Sequence, residues 1–342
     1  MEDIRLNVAL LRKRVPNLTT AAKEAGIRPA TVSNLCTGKI DLGKAEVKTL
    51  VGLAKLANCT VDELIIRGEK MAMIETKIKA LDFFAPLVKG GTTGIVARPG
   101  MGQLVIVAEL LHRFKEQSYQ TIYLIPEKDH PELEGIVELA DHITDSVEKT
   151  LELLNRCGDK AVLFTDKQRV DSGELFKLQE QLGAQPAATL LVDLSGEVVD
   201  DDFPFGPLET LWQLDADLAA RHQYPALSPL HSASSILEDA ELDERHFQLR
   251  QRAQKTLRRY RELRSVAAAH GIERIAQGEL ETYRRGERLE AYFTQPFYVA
   301  EEFTGQPGAS VALELTLHDV EAILNGQADA RELEELQFIG TL

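Results

Sequence analysis

Apolar positions recur in two rhythms along the chain. From about Asp3 to Ile66 they return every three or four residues, the spacing of short amphipathic helices, with no alternating run that would mark a strand. Beyond residue 75 the rhythm changes. Compact β-branched runs appear at TTGIVA (92–97), QTIYLIP (120–126), KAVLFTD (160–166) and ATLLVDLS (188–195), separated by helical stretches. Strands that alternate with helices predict a parallel sheet covered by helices on its faces. From Asp239 the helical rhythm returns, most clearly in DERHFQLRQRAQKTLRRYRELRSVAAAHG (243–271). The expected fold class is therefore α + α/β. A small all-α domain occupies 1–68, a join 69–74, a parallel-sheet domain 75–228 and a helical C-terminal domain 229–342.

Charge sharpens the division between these parts. The net charge of −15 over 342 residues argues against nucleic-acid binding by the chain as a whole. The first 70 residues, however, hold 12 Lys and Arg against 8 Asp and Glu, a balance of +4. The remaining 272 hold 27 against 46, or −19. A small basic module is thus joined to an acidic body. Cys36, Cys59 and Cys157 are too few and too scattered for a disulfide framework or a zinc site, and no metal is expected. With no apolar run of membrane-spanning length and no signal-peptide pattern, the expected location is cytoplasmic, with no membrane contact.

Within the basic module, LTTAAKEAGIRPATVSNLCTGK (18–39) carries the detail. Thr19 is placed as an N-cap, Gly26 supplies a turn, and Pro29 suits the first turn of a second helix that stops at Gly38. Val32 and Leu35 then face inward, and Arg28, Ala30, Thr31, Ser33 and Asn34 outward. This pattern resembles the helix-turn-helix of the Cro and phage-repressor family, and KAEVKTLVGLAKLANCTVDELI (44–65) looks like that family's last two helices. The resemblance implies binding of double-stranded DNA through Thr19, Arg28, Ala30, Thr31, Ser33, Asn34 and Lys39. Asn and Arg would read base edges and Lys39 would meet a phosphate. A small helical bundle used for protein contact is the alternative.

The body resembles a different family. ETKIKALDFFAPLVKGGTTGIVARPGMG (75–102), YPALSPLHSASSIL (224–237) and QPFYVAEEFTGQPGASVALELTLHDVEAILNG (295–326) are similar, in that order, to the rotary ATP synthase beta subunit. The resemblance implies a RecA-like nucleotide domain and a helical C-terminal domain. It also marks what has changed. A working phosphate loop supplies converging backbone N–H groups, a Lys on the β- and γ-phosphates, and a Ser or Thr hydroxyl on magnesium. Here Gly100 and Gly102 remain, while Ala97 stands for the first glycine, Gln103 for the Lys and Leu104 for the hydroxyl residue. Arg98 is the nearest substitute cation. Asp166 matches the family's magnesium-associated aspartate, and Glu127 is a weaker match to its water-activating glutamate. Tyr224, Phe297 and Phe303 match the aromatic residues that hold adenine, although they would serve equally as packing. The family's N-terminal β-barrel has no counterpart, and ERIAQGE (273–279) replaces its shaft-contacting acidic loop. Seven arginines between Arg245 and Arg264 suggest a solvated helix with internal salt bridges.

The expected function is a DNA-binding transcriptional regulator whose body, a pseudo-ATPase, serves oligomerisation, partner binding or ligand sensing. No cofactor is required, and an adenine nucleotide would be held without turnover. Two other functions fit the same residues: a DNA-tethered ATPase using Arg98, and a nucleoid-associated or filament-forming interaction protein. Repressor-type modules act in pairs on half-sites, so a homo-oligomer, at least a dimer, is expected.

Overall fold

The buried runs fold as strands because both of their faces are covered. The computed structural model describes all residues except 1–3, 8–9, 12–13, 16–17, 37–39, 41, 68–71, 127–132, 183–186, 195, 197–204, 206–207 and 239–243. The chain divides into two compact units, Met1–Ala72 with Ile236–Asp243, and Met73–Ser235 with Glu244–Leu342.

In the first unit, helices Leu18–Glu24, Pro29–Cys36, Val47–Leu56 and Val61–Leu64 enclose Leu11, Ala22, Val32, Leu35, Leu53 and Leu64, all buried. Gly26, at φ +74°, turns the chain between the first two helices, and the N–H of Ile27 returns to the carbonyl of Ala22 at 2.8 Å. Glycine takes this left-handed conformation without a side-chain clash. Thr60 and Glu63 close a capping box at the start of the fourth helix. The unit is not wholly helical. β1 (Ile4–Leu6) pairs antiparallel with β2 (Ile65–Arg67). These three-residue strands are too short to show an alternation that the helical spacing around them would not mask.

The second unit opens with β3 (Met73–Ile74), which occupies the last two positions of the expected join and pairs antiparallel with β4 (Leu87–Val88). The main sheet is built from β5 (Thr92–Val96), β6 (Gln120–Leu124), β7 (His142–Thr144), β8 (Ala161–Asp166), β9 (Ala188–Val192), β10 (Thr210–Gln213) and β11 (Ala233–Ser234). Their spatial order is β11-β10-β5-β9-β8-β6-β7, parallel except for β11. Alternate residues of each strand serve opposite faces. Ile95, Tyr123, Phe164 and Val192 pack with helix Gln103–Glu116, whereas Val96, Ile122, Leu163 and Leu191 pack with Leu153, Leu154, Leu175 and Leu178 from the other side.

The first of these clusters continues into the C-terminal helices through Leu249, Ala253, Leu257, Leu289 and Tyr292. Helix Glu244–His270 carries the seven arginines, and its ion pairs include Arg245 with Glu314 and Glu321, Arg259 with Glu262 and Glu279, Arg261 with Asp215, and Arg264 with Asp217. Internal pairing thus accounts for much of this charge. Helix Leu280–Tyr292 meets the arginine helix closely at Gly286, where an added Cβ would lie 2.3 Å from the Cβ of Tyr260. Gly286→Ala is therefore expected to destabilise the fold by about 1–3 kcal/mol through overpacking. Urea unfolding checks it, and an unchanged midpoint would show that the helices do not approach this closely.

Candidate functional site

At the C-terminal end of β5 the chain turns through Ala97–Gly102 and enters helix Gln103–Glu116. Gly100 and Gly102 have φ of +80° and +89°, so the loop keeps the two left-handed positions that a glycine turn supplies. Gly102 is the residue immediately before the helix and lacks a capping side chain. The ring of Tyr224 lies over it, 3.7 Å from where a Cβ would stand. Tyr224 itself precedes a cis proline, Pro225.

A cavity of about 630 Å³ opens beside this turn, in the size range of small-molecule sites. Met101 and Ile106 line it from the loop and helix, Tyr224 from the segment after the short helix Ala216–Ala220, and Pro296, Phe297 and Phe338 from the C-terminal region. Tyr224 and Phe297, both expected here, are brought together. Phe303 is not: it is 90% exposed on the short helix Glu301–Thr304 and is absent from the cavity lining. That six-residue offset from Phe297 spans a 3₁₀ turn and the start of the helix, which carries the ring outward. Phe338 takes part instead, with its N–H on the Thr294 hydroxyl at 2.7 Å. His222, at φ +58°, also lies on the lining. Neither residue stands inside a recognisable motif.

Gln103 is buried at the first helical position, and among the described residues no Lys, Arg, Asp or Glu lines the cavity. Arg98 is exposed and outside that lining. Asp166 ends β8 at 2% exposure and caps helix Lys167–Asp171 by accepting from the N–H of Arg169 at 3.4 Å. Burial holds its carboxyl above the usual carboxylate range, against the opposing pull of the helix N–H groups. Burial, then the nearby Asp166, pushes the phenol of Tyr123 up as well, and its hydroxyl has no hydrogen-bond partner among the described residues. Glu127 lies outside the described residues. Among the described residues no three His, Cys, Asp or Glu side chains come close enough to hold a metal ion. With Leu at 104 and Gln at 103, these residues do not fit a magnesium nucleotide as a working phosphate loop does.

A buried ion pair fixes the cavity's frame. Glu109 and Arg113, at 0% and 1% exposure on the loop helix, bond each other at 2.7 Å. Glu109 also accepts from the N–H groups of Tyr298 and Val299, at 3.2 and 3.1 Å. Arg113 donates to the carbonyls of Lys77 and Ala309 and to the hydroxyl of Ser310. Together these bonds tie the helix to the chain at Lys77 and to the stretch 298–310 that follows Phe297.

The second group of expected residues lies on the first unit. Arg28 directly precedes helix Pro29–Cys36, its carbonyl accepting from Thr31 and Val32 at 3.0 and 3.2 Å. Arg28 and Ala30 are exposed, Thr31 and Asn34 half-buried, and Val32 and Leu35 buried as the spacing predicts. Ser33 lies within the same helix. Thr19 is the second residue of helix Leu18–Glu24 and so is not its N-cap. Lys39 and Gly38 lie outside the described residues.

No protein-family model matches the chain. It is 27% identical over 329 residues to ATP synthase subunit beta of Acaryochloris marina, covering 79% of this chain and 72% of that protein. It is 28% identical over 333 residues to ATP synthase subunit beta 2 of Syntrophotalea carbinolica, covering 81% and 70%. Among solved structures, the ATP synthase subunit NeqB from Nanoarcheaum equitans shares the fold at a TM-score of 0.58 and 15% identity, covering 74% of this chain and 76% of that one. No helix among the described residues is long and apolar enough to cross a membrane. The glycine turn after β5, the sheet order and these likenesses together make the chain a homologue of the ATP synthase beta subunit, built on a RecA-like phosphate-loop fold.

Proposed function

We propose that this protein is a DNA-binding regulator whose beta-subunit-like body does not turn over nucleotide and acts as a ligand-sensing and assembly module. One observation carries the second half: the position of the phosphate-gripping Lys is a buried Gln103, and among the described residues no cationic side chain lines the cavity beside it. Removing a single preorganised donor to developing charge costs about 10²–10³ in rate, and here the cation and the metal-binding hydroxyl are both replaced. The DNA half rests on the basic balance of the first 70 residues and on Arg28 and Ala30, exposed at the start of a helix whose Val32 and Leu35 are buried. The curated relatives are named as subunits of a larger machine, which supports a role for the body in assembly. A homodimer is the simplest arrangement for paired half-sites.

Two measurements on the purified chain test this. Phosphate release from magnesium ATP should stay at background; hydrolysis that disappears in Asp166→Ala would sink the inactive-body reading. Retention of a mixed-sequence DNA duplex at low salt should weaken about tenfold on Arg28→Glu, and should fall steeply with added salt in the parent as counterions are displaced. Parent protein that fails to retain duplex DNA, or a variant that retains it undiminished, would remove the DNA reading or its assigned surface.

A further inference from the structure

We infer that Phe303 is an anchor for a second copy of this chain: its ring seats in that copy's cavity beside the glycine turn, while the partner's Phe303 enters this one. The inference rests on the reading of the body as an assembly module and names the surface it uses. Phe303 is 90% exposed, more than any other large apolar side chain among the described residues. Its position is fixed by its neighbours. The Thr304 hydroxyl donates to the Ala300 carbonyl at 3.0 Å, and the N–H of Gly308 donates to the Glu301 carboxylate at 2.6 Å. Ala300 and Thr304 share the side of this turn that lines the cavity, so Phe303, the residue before Thr304, stands on the rim and points away from it. A phenyl ring held in water forfeits the burial that a neighbour's apolar wall would return.

Such a wall exists on the same face. Tyr224, Phe297 and Phe338 line a space of about 630 Å³, ample for one ring. Aromatic side chains that fill apolar pockets are the usual energetic anchors of protein interfaces, and ring pairs in edge or offset contact add to the burial. Because ring and cavity mouth adjoin, a two-fold axis between them makes both contacts at once and closes the assembly at two copies. The charges are complementary as well. Glu302 is exposed beside Phe303, and Arg98 is exposed two residues before Gly100, which lines the cavity. Neither side chain has a partner among the described residues. Seating the ring brings the carboxylate of one copy towards the guanidinium of the other, and among the described residues no acidic side chain on the lining opposes it.

Light scattering of the full chain without DNA, over a concentration series, tests this. The parent should reach a dimer and grow no further. Phe303→Ser should raise the dimer dissociation constant about 100-fold or more, since each dimer loses two anchors, while far-UV circular dichroism shows the fold unchanged. Val105→Glu, at a lining position 46% exposed, should weaken the dimer from the cavity side. Mixing these two variants brings one intact ring to one intact cavity, so heterodimers should form about tenfold more tightly than either variant pairs with itself. Arg98→Glu should weaken the dimer, and adding Glu302→Arg should recover that loss. A dimer that survives Phe303→Ser undiminished, or a mixture no tighter than its components, would overturn the inference and leave the assembly reading standing. A parent that stays monomeric throughout the series would sink both.

Discussion

Arg113→Met is expected to lower the unfolding free energy by about 3–5 kcal/mol, because it strands Glu109 as an uncompensated charge in a closed interior. The wild-type pair is complete. Glu109 takes three donors, one from Arg113 and two from the backbone at Tyr298 and Val299, and Arg113 adds three bonds of its own to the segments around residues 77 and 309. Met fills much of the volume of the arginine stem but supplies none of the donors. Urea unfolding of parent and variant, followed by the emission of Trp212, gives the difference. A loss below about 1 kcal/mol would mean that water reaches Glu109 and that the network contributes little. Glu109→Gln combined with Arg113→Met should recover part of the loss, since the stranded charge is then gone.

Trp212→Ala is the second large effect, at about 3–5 kcal/mol. The indole is fully buried on β10, and its Nε1–H donates to the carbonyl of Ala85 at 2.7 Å. Next to it, the hydroxyls of Thr210 and Ser234 both donate to the carbonyl of Pro86, at 2.9 and 2.8 Å. The turn at 85–86 is thereby fastened to the last two strands of the sheet. Truncation would leave a cavity and an unpaired carbonyl together. Trp212→Phe separates the two contributions, since it keeps most of the ring contact and orphans the Ala85 carbonyl, at about 1–3 kcal/mol. Far-UV circular-dichroism melts measure both variants. Equal stability of Trp212→Ala and the parent would show that β10 is not anchored in this way.

How much of this was legible depends on the length and isolation of each signal. The four longest central strands, β5, β6, β8 and β9, fall within the β-branched runs, because a strand buried on both faces must be apolar almost throughout. The shorter strands were not legible. HIT at 142–144 and IRL at 4–6 are too brief to set a period, and β10 carries polar Thr210 and Gln213 at its ends. The inward positions Val32 and Leu35 follow from helical spacing alone. At the cavity, resemblance named three aromatic residues and geometry kept two. Phe297 and Phe303 lie on one short stretch, and only the turn between them decides which ring enters. Phe338 reaches the same space from some forty residues away, a return of the chain that no local pattern encodes.

The order of strands in the main sheet has a consequence for how the protein is made. β5 is flanked by β9 and β10, so Thr92 must wait for Thr189, and Thr93 for Thr210, before either of its edges is closed. At a synthesis speed of about 5–20 residues per second, the ribosome needs on the order of 5–20 s to deliver the first of these partners. Throughout that interval the apolar run Thr92–Val96 has two open edges in a nascent chain. Sequence-distant pairing of this kind also slows refolding after dilution from denaturant. A holdase bound early, or a lower growth temperature, should therefore raise the yield of native protein more than any change at the surface of the finished fold.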